Sequence, residues 1–152
     1  MDRERLTESI KIHEGYRKLP YRDSLGYWTV GYGHLIEEDI VDTLPMGRIL
    51  DRYTDKDQHE AWLRSDIESA LNRARDWIGP DEFEHLSEVR QEVIVEMAFQ
   101  MGNRINGFRQ TRQFILGHDY EAASVEMLDS RWADQTPERA QRLALRMRTS
   151  QA

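Results

Sequence analysis

Apolar residues at the start of the chain recur at helical spacing, and this spacing predicts a short helix over residues 2–13 that stops at Gly15. From Tyr21 to Ile36 the pattern changes, because aromatic and β-branched residues favour strands. The tetrapeptide DSLG at 23–26 has the composition of a tight turn. We therefore predict a small antiparallel sheet directly after the first helix.

A long helix is predicted next. The tetrapeptide TDKD at 54–57 resembles a capping box, and apolar residues then repeat at helical spacing as far as Ile78. Such a segment has roughly 23 residues and a length of about 35 Å. Pro80 ends it, and the helix is long enough to connect two lobes.

The remainder of the chain is predicted to be helical, with glycine or proline separating the helices. The helices are expected at 87–101, 109–116, 120–128 and from Pro137 onward, with Thr136 as the N-cap of the last. The predicted fold is α+β, with a small antiparallel sheet lobe joined by a long helix to a larger helical lobe. One domain of residues 1–152 is expected, divided into a β lobe (15–54), a connecting helix (55–78) and a helical lobe (1–14 and 79–152).

Composition excludes several classes of function. The chain has no cysteine, and its five histidines show no metal-ligand spacing, so we expect no disulfide, metal or cofactor. A formal net charge of -7 argues against non-specific binding to nucleic acid. We expect no signal peptide and no membrane anchor, because the N-terminus is polar and the sequence has no long apolar run. We expect a monomer that is soluble as made.

Two carboxylates and one hydroxyl lie close together in the first part of the chain. Glu14 is expected at the end of the first helix, and Asp23 and Thr29 in the hairpin that follows. When two carboxyl groups have different environments, one can act as the general acid and the other as the general base in the hydrolysis of a glycosidic bond. A threonine hydroxyl nearby could hold the attacking water. Most of the 28 carboxylates are nevertheless expected to be solvated surface charges.

The spacing of these residues resembles a known catalytic signature. Eight residues separate Glu14 from Asp23, five separate Asp23 from Thr29, and GYGH follows, as in the T-even phage lysozymes of glycoside hydrolase family 24. Further resemblance lies in FQMG at 99–102, SRW at 130–132 and QTPERA at 135–140, so it extends over nearly the whole chain. The resemblance implies a lysozyme-like muramidase with inversion. Glu14 would be the general acid, Asp23 would activate or orient water, and Thr29 would position that water.

Other positions carry over from the same resemblance. The implied substrate-binding residues are Leu35, Phe99, Thr111 and Glu126. His34 and Asp66 would form a buried ion pair that supports stability, and Arg139 would pair with the catalytic glutamate. Trp132 and Gln100 resemble a packed indole with its hydrogen-bond partner.

The last predicted helix carries a stripe of arginines, Arg139, Arg142 and Arg146, on one face. We interpret this stripe as a solvated charged face, with contact to an anionic wall or membrane as the alternative.

Three functions remain open at this point. The first is an endolysin that hydrolyses peptidoglycan glycan strands, waits in the host cytoplasm until a holin opens the membrane, and then acts on the wall in the periplasm for host cell lysis. The second is a catalytically silent wall-binding or immunity-type protein, which the presence of Glu14, Asp23 and Thr29 disfavours. The third is a lytic transglycosylase, which generally relies on one glutamate without the aspartate.

Overall fold

The computed structural model describes residues 1–36 and 46–152, and the predicted α+β class is confirmed: the chain is mostly helical, with a small antiparallel sheet. The chain divides into two compact units, which are described separately. One unit contains Thr7–Glu68, and the other contains Met1–Leu6 together with Ser69–Ala152. The predicted division into a β lobe, a connecting helix and a helical lobe remains a prediction, and residues 37–45 of that β lobe lie outside the described residues.

The unit containing Thr7–Glu68 carries the sheet. Its elements are α1 (Arg3–Glu14), β1 (Arg17–Arg22), β2 (Trp28–Gly31), β3 (His34–Leu35), α2 (Met46–Tyr53) and α3 (Lys56–Ile78), of which α1 and α3 also contribute residues to the other unit. The strands are antiparallel in the order β1-β2-β3, and Tyr21 pairs with Thr29. Helix α3 has 23 residues, as predicted. At its start, the backbone nitrogen of Asp57 donates to the Asp55 side chain at 3.0 Å.

This unit has a small apolar core between the sheet and its helices. Val30 of β2 is fully buried, and Ile36, Ile49 and Tyr53 pack with it, while Trp28 and Trp62 cover the cluster from the side. Val30 alternates with Thr29 along β2, so the two side chains point to opposite faces of the sheet. One face of β2 therefore anchors the sheet, and the other presents Thr29.

The second unit is built from short helices around a buried one. Its elements after α3 are α4 (Pro80–His85), α5 (Glu88–Met101), a 3-10 helix (Gly102–Gly107), α6 (Arg109–Leu116), α7 (Tyr120–Leu128), α8 (Arg131–Gln135) and α9 (Pro137–Thr149). Most side chains of α5 are buried, which makes it the centre of the core. Within the two described ranges, no helix is both long and apolar enough to cross a bilayer.

Thr136 occupies the predicted N-cap position of α9, but its side chain does not cap that helix. Its side chain makes no bond to the first turn of α9. Instead, its hydroxyl donates to the carbonyl oxygen of Trp132 at 3.0 Å, which satisfies the end of α8. Helix α8 has only five residues and Thr136 follows it directly, so the same residue serves the end of one helix and the beginning of the next.

The prediction of a solvated arginine stripe on α9 is wrong for two of its members. Arg142 is exposed, but Arg139 and Arg146 keep only 7% and 5% of their surface. The reason is the neighbouring helix, because α5 presents Glu92 and Glu96, both fully buried, to this face. Arg146 lies 2.8 Å from Glu92 and 3.5 Å from Glu96, and Arg139 lies 3.6 Å from Glu96. Arg139 and Arg146 therefore form an internal charge cluster with the two glutamates of α5.

Candidate active site

Glu14 is the last residue of α1, as the sequence predicts. The backbone nitrogen of Gly15 donates to the carbonyl oxygen of Lys11 at 2.9 Å, and Gly15 then turns the chain with a φ of 68°. Helices commonly end at a residue in the left-handed backbone conformation, and glycine adopts this conformation without strain. The half-buried side chain of Glu14 therefore leaves the helix where the chain turns into the sheet.

Asp23 is held by the turn that it begins. Its Oδ1 accepts hydrogen bonds from the backbone nitrogens of Leu25 and Tyr27, each at 2.9 Å. The carbonyl oxygen of Asp23 accepts from the nitrogen of Gly26 at 3.0 Å, and Gly26 has a φ of 88° that favours glycine. Both side-chain bonds end on Oδ1, so Oδ2 can accept a proton or a hydrogen bond from water.

Thr29 lies in the middle of the sheet with 5% of its surface exposed. Its hydroxyl donates to the carbonyl oxygen of Tyr27 at 3.1 Å. A hydroxyl has one hydrogen and two lone pairs, so the oxygen that has donated can still accept a hydrogen bond. A water next to Thr29 would therefore have to donate to it.

Tyr21 connects the three predicted catalytic residues. It pairs with Thr29 in the sheet register. Burial raises the pKa of the Tyr21 phenol, and the negative charges of Glu14 and Asp23 raise it further, while Arg17, whose guanidinium lies 4.3 Å from the ring centre, opposes them. Both carboxylates therefore act on the same side chain. Tyr21 was not among the residues predicted from the sequence, and its position across from Thr29 in the hairpin was the signal that could have identified it.

His34 and Asp66 form a pair, with Nδ1 of His34 lying 2.8 Å from Oδ2 of Asp66. The resemblance implied a buried pair, but the two side chains keep 24% and 30% of their surface. The His34 ring also stacks on Trp62, with the ring centres 4.3 Å apart and 9° between the planes. Two independent contacts thus join the third strand to α3.

The predicted substrate-binding residues fall into two groups. Leu35 belongs to the sheet-bearing unit and is 47% exposed, which excludes a simple core role for it. Phe99, Thr111 and Glu126 belong to the helical unit. Thr111 and Glu126 line one pocket of about 490 Å³, and Phe99 is not part of its lining.

Several side chains in that pocket were not predicted from sequence. Phe108 and Trp132 give it aromatic walls, and Asp129 adds a second carboxylate to that of Glu126. The remaining charged residues of the lining are Arg104, Arg109 and Arg131. These residues lie in separate stretches of the sequence: Arg104 is in the 3-10 helix, Arg109 in α6, and Arg131 and Trp132 in α8, while Phe108 and Asp129 lie between elements. The indole of Trp132 donates to Gln100 at 2.8 Å, so this predicted contact is present.

Arg139 lies in the first turn of α9, beside Glu96 of α5. Its predicted pairing with Glu14 would join residues of the two units and remains a prediction. Among residues 1–36 and 46–152, no group of three or more acidic or histidine side chains is arranged to hold a metal ion. The chemistry available around Tyr21 is that of two carboxylates and a hydroxyl. This set, on an α+β chain with a small sheet, is the set expected of a glycoside hydrolase.

The family model described as Phage lysozyme matches residues 11–150. The chain belongs to the phage lysozyme family and is a glycoside hydrolase, as the resemblance predicted. A relative named Probable T4-type lysozyme 1, from Dictyostelium discoideum, is 28% identical over 157 residues, covering 91% of this chain and 90% of the relative. Both chains are therefore matched over nearly their full lengths.

Two phage proteins that contain a similar segment are much longer than this chain. The Pre-baseplate central spike protein Gp5 of Enterobacteria phage T4 is 27% identical, with 92% of this chain and 27% of that protein covered. Peptidoglycan hydrolase gp36 of Pseudomonas phage phiKMV is 30% identical, with 88% of this chain and 14% of that protein covered.

Proposed function

We propose that this glycoside hydrolase is a muramidase, which cleaves the β-1,4 bond between N-acetylmuramic acid and N-acetylglucosamine in peptidoglycan with inversion at the anomeric carbon. The observation that carries the proposal is the arrangement of Asp23 and Thr29 in one hairpin, with Glu14 at the end of the helix that precedes it. Membership of the phage lysozyme family and the name of the phiKMV relative support peptidoglycan as the substrate.

The proposed reaction needs a proton donor and an oriented water. Glu14 donates its proton to the oxygen of the leaving sugar. The attacking water donates one hydrogen bond to the Thr29 oxygen, whose own hydrogen is used by Tyr27, and the other to Oδ2 of Asp23. As the water attacks, Asp23 takes the second proton. This division of work assigns a separate role to each side chain.

Four residues are proposed to bind the substrate. Leu35 provides exposed apolar surface beside the sheet, and both Leu35 and the half-buried Phe99 are assigned to saccharide binding on the basis of the resemblance. Thr111 and Glu126 are assigned to a further part of the substrate, because both line the pocket of about 490 Å³. The carboxylates and guanidiniums of that lining suit a ligand that carries both charges, such as a peptide stem.

We propose further that the protein is a monomeric endolysin. It would remain in the host cytoplasm until a holin opens the membrane and would then degrade the wall in the periplasm. This role rests on the resemblance to the T-even phage lysozymes. The Gp5 relative is named as a spike protein, so a virion-associated lysozyme is the alternative that localisation in infected cells and in purified particles would distinguish.

The loss of turbidity of outer-membrane-permeabilised cells tests the assignment of the acid. Glu14→Gln should lower the rate at least about a hundredfold, the lower range for general acid catalysis, and should leave the fold intact. Glu8→Gln is the matched control, because it removes an exposed carboxylate from the same helix. If Glu14→Gln kept a tenth of the native rate, Glu14 would not be the acid.

Proton NMR of a fresh digest tests the stereochemistry. Inverting enzymes leave roughly 6.5–9.5 Å between their carboxyl groups for a water, whereas retaining enzymes leave about 5 Å. We expect the α-anomer as the first product from the β-linked chain. An initial β-anomer would replace inversion with retention, an anhydro sugar would indicate a transglycosylase, and wall binding without new reducing ends would indicate the silent protein.

A further inference from the structure

The backbone of Gly33 lies against the carboxyl group of Glu14. Gly33 belongs to the turn Gly31–His34, which connects β2 to β3, and has a φ of 71°. A Cβ atom built on Gly33 would lie 2.6 Å from Oε2 and 3.1 Å from Cδ of Glu14. Side chains do not approach carboxyl oxygens this closely, so only glycine fits here with the carboxyl group where it is.

This turn is fixed on α3 by its polar and aromatic side chains. The hydroxyl of Tyr32 donates to Oε1 of Glu60 at 3.0 Å. His34 lies 2.8 Å from Asp66 and stacks on Trp62. The residues on either side of Gly33 are thus attached to one helix, and the turn has little freedom to move away from Glu14.

Gly31 provides a third contact with α3, because a residue without a side chain can pack closely against His59. A Cβ atom at Gly31 would lie 3.0 Å from Cβ of His59, which is 1% exposed. Nε2 of His59 lies 2.6 Å from the carbonyl oxygen of Tyr53, and Nδ1 lies 2.9 Å from the hydroxyl of Tyr16. With Nε2 as the donor, Nδ1 can accept from Tyr16, so both ring nitrogens are satisfied and the imidazole is held in place.

We propose that the turn Gly31–His34 positions the proton donor: Gly33 is a positioning residue whose backbone sets where the Glu14 carboxyl group stands. The proposal rests on the proposed role of Glu14 as the general acid. It gives the pair of His34 and Asp66 a second role, because the pair holds the turn that contacts the acid. An acid that must reach one glycosidic oxygen loses efficiency when it is displaced by even about 1 Å.

The Gly33→Ala variant tests this directly. The atoms that the new methyl group would meet belong to the end of the flexible Glu14 side chain, so the carboxyl group is expected to move while the backbone keeps its path. We expect kcat on a soluble peptidoglycan fragment to fall about tenfold to a hundredfold, with KM changed less than about twofold. A crystal structure of the variant should show the displaced carboxyl group.

Gly102→Ala is the matched control. Gly102 has a φ of 58°, similar to that of Gly33, but a Cβ atom there would meet nothing within 4 Å. It therefore places alanine at a similarly unfavourable positive φ without the contact. We expect this variant to lose thermal stability through its backbone conformation alone and to keep the native kcat.

A second measurement does not depend on activity. If Gly33→Ala displaces the carboxyl group, its loss of Tm should be larger than that of Gly102→Ala. In the background of Glu14→Ala, which removes the carboxyl group, the excess should disappear. An equal loss of Tm with and without Glu14 would show that the two residues are not coupled, and it would overturn the proposal even if Gly33→Ala were too unstable to assay.

The outcomes separate this proposal from the proposed function. A nearly inactive Glu14→Gln together with a Gly33→Ala variant as active as Gly102→Ala would retain the acid and overturn the role of Gly33. An active Glu14→Gln variant would overturn the proposed function, and the positioning role would fall with it. A loss confined to KM in Gly33→Ala would also contradict the proposal, because a misplaced acid lowers kcat.

Discussion

Asp23 and Tyr27 are joined by two reciprocal hydrogen bonds: the backbone nitrogen of Asp23 donates to the Tyr27 carbonyl oxygen, and the nitrogen of Tyr27 donates to Oδ1 of Asp23, each at 2.9 Å. The same Tyr27 carbonyl oxygen also accepts from the hydroxyl of Thr29. The proposed base and the proposed water-holding hydroxyl are therefore linked through the backbone of one residue, Tyr27. The turn orients both side chains before any substrate is bound.

Asp23 has a structural and a proposed chemical role, and two substitutions separate them. Asp23→Asn keeps an oxygen that can accept from Leu25 and Tyr27 but has no negative charge. We expect its activity to fall at least about a hundredfold, with Tm nearly unchanged. Asp23→Ala removes the acceptor as well and should cost about 1–2 kcal/mol of unfolding free energy in addition. Turbidity assays and thermal melts give both quantities, and an active Asp23→Asn variant would contradict the role as base.

For Thr29 the prediction concerns the hydroxyl alone. Thr29→Val keeps the shape of the side chain but leaves the Tyr27 carbonyl oxygen without this donor, and we expect it to lose about 1 kcal/mol of stability. Because the proposed water also loses its acceptor, activity should fall more than about tenfold. Thr29→Ser is the control and should recover most of the activity. Equal rates for valine and serine at this position would show that the hydroxyl does not hold the water.

Much of the fold could be predicted from the sequence because its signals are local. The apolar spacing of α3 and the proline after it predicted 23 helical residues, and the structure has 23 from Lys56 to Ile78. Gly102 and Gly117 likewise mark the ends predicted for α5 and α6, although Gly102 begins a 3-10 helix. Each of these signals depends on the conformational preference of one or two residues.

What the sequence could not predict depends on which elements become neighbours. The arginine face of α9 had the pattern of a solvated surface, and only the position of α5 shows that Arg146 meets Glu92 and Glu96. Similarly, GYGH was identified as part of a motif, but the reason for Gly33 became visible only with the Glu14 carboxyl group beside it. Periodicity identifies a face of a helix or strand but not the partner that covers it.

The contact between His34 and Asp66 should contribute measurably to stability, because it is short and only about a quarter exposed. A double-mutant cycle with His34→Asn and Asp66→Asn should give a coupling of about 1 kcal/mol at neutral pH. Urea unfolding of the four proteins provides the measurement. Strictly additive losses would mean that the two side chains do not stabilise each other in solution.

The hydrogen bond between Tyr32 and Glu60 predicts a pH dependence of stability. Burial acts to raise the pKa of Glu60, but the bonds from Tyr32 and Lys11 outweigh it and hold the pKa below its ordinary value. A carboxylate whose pKa is lowered by folding stabilises the fold at pH values above its ordinary pKa. This contribution is lost as the pH falls through the folded-state pKa. Burial and the bond to Glu60 raise the pKa of Tyr32, so its contribution is lost at alkaline pH instead.

Tyr32→Phe should therefore lower Tm near neutral pH and flatten the dependence of Tm on pH at both ends. Thermal melts between about pH 3 and pH 11, which span the ordinary pKa values of Glu and Tyr, measure the effect. Tyr27→Phe is the control, because the Tyr27 side chain, in the segment that joins β1 to β2, is 58% exposed. If both variants showed the pH profile of the native protein, the Tyr32 bond would not determine the titration of Glu60.

The last prediction concerns the buried charges of the helical unit. Glu92 accepts from Arg146 at 2.8 Å and from two nitrogens of Arg5 at 2.9 and 2.8 Å, and Glu96 lies beside Arg146 and Arg139. Both carboxylates are fully buried, and carboxylates in that environment depend on their cations, because these contacts replace part of the lost hydration.

Arg146→Met keeps much of the side-chain volume but removes the cation that Glu92 and Glu96 share. We expect it to cost about 3–5 kcal/mol of unfolding free energy at neutral pH, the usual cost of breaking one side of a buried pair. Replacing Glu96 with glutamine in the Arg146→Met background should recover part of this loss, since it removes one of the stranded charges. Arg148→Met, at an exposed position of the same helix, should stay within about 0.5 kcal/mol of the native protein. Urea unfolding distinguishes the outcomes: similar small losses for both arginine variants would show that water reaches Glu92 and Glu96 and that the cluster contributes no more than surface charges do.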